Sequence, residues 1–154
     1  MGSNPIRPVF YFSVKEYLKA VSFMSEEGLS AIFAFHANPA RVLSLSITLE
    51  NRGYYLIDSV TTADDLMRKY AQSLRGYDLY AMDVNLGYSG DYNFTAAHAL
   101  YAFISPLVTT GVVKFYPASV DPRIVAAAQK EGLPAILKEE LSDLIFAMPL
   151  VRRD

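Results

Sequence analysis

A chain of 154 residues with 52% hydrophobic and 19% charged residues can bury a single-domain core and lacks the composition of a disordered segment. Its formal net charge of −2 and its short basic runs leave no electrostatic footprint for DNA or RNA, so no nucleic-acid partner is expected. With no cysteine, thiol nucleophiles, disulfides and thiolate metal sites are excluded, and with no secretory signal and no apolar run near the roughly 20 residues of a membrane span, a cytoplasmic protein is expected.

Val9-Phe-Tyr-Phe12 reads as a short aromatic strand, and Ser13-Val-Lys-Glu16 after it as a capping box. Tyr17, Leu18, Val21 and Met24 then recur at helical spacing up to Gly28, which predicts an amphipathic helix over about 13–27. Ala31-Ile-Phe-Ala-Phe35 is a continuous apolar run, the pattern of a strand buried on both faces. Asn38-Pro39 reads as an N-cap followed by proline at the first helical position, with Val42, Leu43, Leu45 and Leu49 as the buried stripe and Gly53 as the stop.

Tyr54-Tyr-Leu-Ile57 is the next strand, ending at Asp58, and Thr62 caps a helix carrying Leu66, Met67, Tyr70 and Leu74 as far as Gly76. Asp78-Leu-Tyr-Ala-Met82 is a third strand with Asp83 at its carboxyl end. A loop from Asn85 to Asn93 precedes an apolar helix over about Thr95 to Ile104. Gly111-Val-Val-Lys-Phe-Tyr116 is a fourth strand, Asp121-Pro122 starts an alanine-rich helix ended by Gly132, and Ala135-Ile-Leu137 is a fifth strand that runs into Lys138. Ser142 is the expected cap of a last helix, which Pro149 limits.

Strand and helix alternate from residue 30 onward with short connections, which predicts a doubly wound α/β fold with a five-stranded parallel sheet. The organisation expected is an N-terminal extension over 1–29, with its extra helix, and an α/β domain over 30–154. Ligands of such sheets gather beyond the carboxyl ends of the strands. That rule selects His36, Ala37 and Asn38, then Asp58, Asp83 and Asn85, then Pro117 to Ser119, and Lys138.

This ordered set carries a resemblance. Tyr77-Asp-Leu-Tyr-Ala-Met-Asp-Val-Asn-Leu-Gly-Tyr-Ser-Gly90, Ala118 to Gly132, and Leu133-Pro-Ala-Ile-Leu-Lys138 are similar to the third strand, fourth helix and fifth strand of the response-regulator receiver family. The similarity runs from Ser30 to about Ile145, three quarters of the chain. It implies a CheY-like fold with strand order 2-1-3-4-5, a role in two-component signal transduction, Asp83 as phosphoacceptor and Lys138 as its charge partner. It also implies Mg²⁺ as cofactor and a protein partner, a kinase or downstream regulator, met through the face of the fourth helix, fifth strand and fifth helix that the family uses for dimerisation. The apolar stripe of the N-terminal helix must be buried, over one side of the sheet or by exchange between subunits, so a homodimer is expected.

The sequence departs from that pattern where the chemistry is most exacting. The acidic pair that holds Mg²⁺ in the family is replaced by His36 and Ala37, and Mg²⁺ prefers carboxylate oxygens. Alignment on Ala118 puts Pro117, without hydroxyl or N–H, at the family's Thr/Ser position, with Ser119 two residues on. One histidine and one aspartate are too few to argue for another metal, so none is assigned, and His36 reads as a hydrogen-bonded strand-edge residue. The reading that follows is a divergent, stand-alone receiver-like domain, or pseudo-receiver, that acts by protein contact with or without phosphorylation at Asp83 and has no activity beyond phosphoacceptance and autodephosphorylation there. The alternative is a flavodoxin-like domain binding a small molecule among His36, Asn38, Asn85 and Tyr88.

Overall fold

A computed structural model describes residues 28–88 and 92–150. The aromatic strand over 9–12, the helix over 13–27 and most of the expected extension lie outside these residues. Elements follow in the order β1 (Leu29–Ala34), α1 (Pro39–Asn51), β2 (Tyr54–Val60), α2 (Ala63–Gln72), β3 (Leu79–Asp83), α3 (Thr95–Thr109), β4 (Lys114–Ser119), α4 (Pro122–Lys130), β5 (Ile136–Leu137) and α5 (Lys138–Phe146). The strands are parallel in the order β2-β1-β3-β4-β5. Among the described residues no helix is long and apolar enough to cross a membrane.

The unbroken apolar runs follow from burial on both faces of the sheet. Consecutive side chains alternate between two cores: Ile32, Ala34, Tyr80 and Met82 face α2, α3 and α4, whereas Ala31, Phe33, Leu79 and Ala81 face α1 and α5. α1 contributes Leu45 and Leu49 to the second core, but Leu43, expected in its buried stripe, is exposed. Two arginines tie α1 to α5. Arg41 donates to the Lys138 carbonyl and the Ser142 hydroxyl, and Arg52 donates to the carbonyls of Phe146 and Met148.

The expected caps divide. Thr62 accepts from the Asp65 N–H and Asp121 from the Arg123 N–H, as their sequence positions predict. Asn38 precedes Pro39 but makes no side-chain cap bond and sits at φ 67°, because a following proline disfavours right-handed helical backbone and asparagine tolerates the left-handed region. Ser142 does not open the last helix: α5 starts at Lys138, where the Glu140 carboxylate accepts the Leu137 N–H, and Ser142 instead serves Arg41.

Several boundaries move because strand length is set by the neighbour across the ladder. β2 runs on to Val60 because β1 stays opposite it as far as Ala34, so Asp58 lies inside the strand rather than at its carboxyl end. There its carboxylate accepts the Tyr77 phenol and stands 3.9 Å from the Lys69 ammonium. β4 begins at Lys114, opposite Leu79, and extends through Pro117 to Ser119. The Ala118 carbonyl accepts from Val84 on the β3 side, so alternation directs the Pro117 backbone toward β5, which starts only opposite Ala118. A missing N–H is tolerated there. α3 continues past Ile104 to Thr109 with Pro106 inside it, its later turns held by Val108 packing on the core and by the Thr109 hydroxyl donating to the Ser105 carbonyl.

The turn from α2 into β3 is built around Gly76, at φ +76°. A Cβ there would lie 2.5 Å from the hydroxyl of Tyr80, whose oxygen accepts the Tyr77 N–H at 2.8 Å and whose ring is buried. Gly76→Ala is expected to cost about 1–2 kcal/mol for left-handed backbone alone, with the overlap adding to it. A thermal melt that moves by less than a degree would show that the turn can relax.

Candidate functional site

The carboxyl ends of β1 and β3 and the start of α5 meet around Asp83. β3 delivers Asp83 as its last residue, and the short β5 runs directly into α5, so that Lys138 is the first residue of that helix. Both are charged and both are buried, with 6% and 5% of their surface exposed. The Lys138 Nζ stands 2.6 Å from Asp83 Oδ1, and its ammonium lies 4.6 Å from the centre of the Phe35 ring, a cation–π distance. Asp83 Oδ2 accepts the His36 backbone N–H at 2.9 Å, and His36 Nδ1 approaches the same oxygen at 3.3 Å. Both carboxylate oxygens are therefore engaged.

The other residues selected from the sequence are arranged differently. His36 is exposed, its ring packed edge-on against Tyr92 with centroids 5.6 Å apart. Ala37 and Asn38 are exposed and contribute no side-chain bond to Asp83. Ala118 is the residue opposite Asp83 across the ladder, and Pro117 stands one step back, opposite Met82. Ser119 is buried at the end of β4, where its hydroxyl accepts the Asp121 N–H at 3.1 Å and so starts the turn into α4.

The donor set does not fit Mg²⁺. Around Asp83 the neighbouring strand end offers an imidazole and a methyl group, not further carboxylates, and an ammonium already holds the acid. Among the described residues no cluster of three or more His, Cys, Asp or Glu side chains is placed to hold a metal ion.

Among the described residues, His36 and Asn85 line two cavities that have Tyr92 in common. His36 lines a cavity of about 420 Å³ with Thr61, Thr62, Arg68, Gly87 and Tyr92. Asn85 lines the other, of about 550 Å³, with Tyr92, Asn93, Phe94, His98 and Glu131. Tyr88 packs against the core, and Asn38 lines neither cavity.

Three contributors were not visible as site residues in the sequence. Phe35 reads as strand core, Arg41 as a helix surface residue, and Tyr92 as part of a loop. Arg41 and its acceptor Ser142 are 101 positions apart, a pairing that no local pattern encodes.

No protein-family model matches the chain, and no curated protein matches it by sequence. Among solved structures it is similar to the RcsB response regulator of Salmonella typhimurium, studied there for conformational dynamism in DNA interaction. The TM-score is 0.54 and the identity 13%, over 73% of this chain and 53% of that one. The chain thus spans about half the length of that protein. Together with the parallel order β2-β1-β3-β4-β5, the likeness shows that the chain has the CheY-like fold of a response-regulator receiver.

Proposed function

We propose that the chain is a receiver-fold signalling module that acts by contact with a protein partner, in which Asp83 and Lys138 form a closed structural pair instead of a phosphorylation site. The observation that carries this reading is the engagement of both Asp83 oxygens, one by the Lys138 ammonium and one by the His36 N–H, in a carboxylate that is 6% exposed. Phosphoryl transfer to a carboxylate needs a free oxygen in line with the donor and a cation to offset the charge that accumulates. The cation at hand is the Lys138 ammonium, which already holds one oxygen, while the His36 N–H holds the other and the neighbouring strand end brings no further carboxylate for Mg²⁺.

Output in this reading does not depend on phosphate. It comes from a fixed surface, by analogy of fold the face of α4, β5 and α5, where Leu144 and Phe146 remain exposed. The Arg41 and Arg52 bonds from α1 hold α5 near both of its ends, which suits a static docking element. The small-molecule alternative rests on the cavities lined by His36 and by Asn85, which meet at Tyr92, and the ion pair at Asp83 does not enter it.

The test is incubation with Mg²⁺ and acetyl phosphate, and separately with beryllofluoride, followed by intact mass and amide NMR. The expected result is an unchanged mass and unmoved amide resonances of His36 and Val84. A stoichiometric adduct that disappears in Asp83→Asn would overturn the closed-pair reading and make Asp83 a phosphoacceptor.

A further inference from the structure

A second feature lies at the opposite end of the sheet. β2 is the edge strand, and its outer side has no partner among the described residues. The pairing of Leu29 with Tyr54 and of Ser30 with Leu56 leaves Tyr55 as the extra residue of a bulge. Tyr55 and Leu56 are 59% and 42% exposed, and Leu74, just beyond α2, is 66% exposed. Leu74 was expected on the buried stripe of its helix, but α2 ends at Gln72 and the turn carries Leu74 outward. These three apolar side chains line one groove of about 270 Å³ between the β2 edge and the end of α2.

The chain enters the fold beside this groove. Gly28, at φ +136°, is packed so closely on Tyr55 that a Cβ would lie 2.7 Å from its ring. Residues 1–27 precede it, and among them Tyr17, Leu18, Val21 and Met24 fall on one face at helical spacing. The segment Ser13–Glu27 is continuous with Gly28, and at no more than about 3.6 Å of chain per residue its nearer positions can reach past Tyr55. That reach includes the groove at the start of β2.

We infer that this groove is the seat of the chain's own segment Ser13–Glu27, whose Tyr17, Leu18, Val21 and Met24 cover Tyr55, Leu56 and Leu74. The docking removes two apolar surfaces from water at once and places a covering element over an open strand edge, which otherwise invites pairing with another chain. It is independent of how Asp83 is used.

The chain has no cysteine, so a single Lys19→Cys variant can carry one spin label. Lys19 falls opposite the apolar face at helical spacing, so the label leaves the contact free. In the full chain, the amide signals of Leu56, Ser73 and Leu74 are expected to lose most of their intensity, whereas those of α5, on the other face of the sheet, keep theirs. Adding Leu74→Glu, an exposed substitution whose effect on the fold is checked by the remaining amide signals, is expected to restore the lost intensity. Three results would overturn the inference: no loss at these amides, loss centred on α1 or α5, or equal loss when isotope-labelled unmodified protein is mixed with unlabelled spin-labelled protein. The last would assign the groove to the segment of a second copy.

Discussion

Replacing Lys138 with alanine is expected to destabilise the fold by about 3–5 kcal/mol, the cost of leaving a buried charge without its partner. Among the described residues, the Lys138 ammonium is the counter-charge at 2.6 Å from Asp83, and the other basic neighbour within 4 Å is the exposed His36. Without it, the carboxylate keeps the His36 N–H as its remaining strong donor, and water has little access to a side chain 8% exposed. Asp83→Asn is expected to shift stability in the same direction. In a site crowded with carboxylates the loss of one acid would relieve repulsion, but here it strands an ammonium. Replacing both partners with apolar residues, Asp83→Leu with Lys138→Met, is expected to recover most of the loss, because neither charge is then left unpaired. Urea unfolding of the four proteins measures this. A single-variant loss under about 1 kcal/mol would mean that the pair behaves as a solvent-screened surface bridge.

Asp78→Ala is expected to have an effect of similar size at the other end of the sheet. Asp78 is buried before β3, where it accepts the Ser30 N–H at 2.8 Å and two bonds from the Arg75 guanidinium at 3.0 and 2.7 Å. The Arg75 side chain is itself only 9% exposed. Alanine at 78 would leave that guanidinium and the Ser30 amide of β1 without acceptors, at a cost of about 3–5 kcal/mol. Hydrogen exchange would show the loss locally, as fast exchange of the Ser30 amide, before global unfolding. Unchanged protection of Ser30 would mean that water replaces the carboxylate at no cost. Nearby, burial and the bond to Asp58 push the Tyr77 phenol up, and burial pushes the Tyr80 phenol up, so both stay neutral and keep their bonds across the ordinary pH range.

The alternation of strands and helices was legible because a parallel sheet covered on both sides demands continuous apolar runs, such as Ala31 to Phe35 and Leu79 to Met82. The ends of those runs were less legible. Gly111-Val-Val113 has strand composition, yet it forms the turn after α3: Val112 bonds back to the Leu107 carbonyl, because β3 offers no partner before Leu79. Pro117 reads as a strand breaker, yet it sits in β4 where no donor is required. At the site, Asp83 and Lys138 could be selected because strand ends are marked locally by polar residues closing apolar runs. How they meet could not, since it depends on Phe35, His36 and Arg41, whose contacts arise only when the sheet and α5 close together. The replacement of the family's acidic pair by His36 and Ala37 was visible, whereas the engagement of both Asp83 oxygens was not.

The position of Lys138 has one more implication. The first turn of a helix is the positive end of its dipole, an unfavourable place for an ammonium, and α5 sets Glu139 and Glu140 beside it. Lysine at this point serves Asp83 and not its own helix. Across lineages descended from this chain, positions 83 and 138 should therefore change together or not at all: a loss at one removes the reason for the other, and drift in the helix alone would favour a different residue at 138.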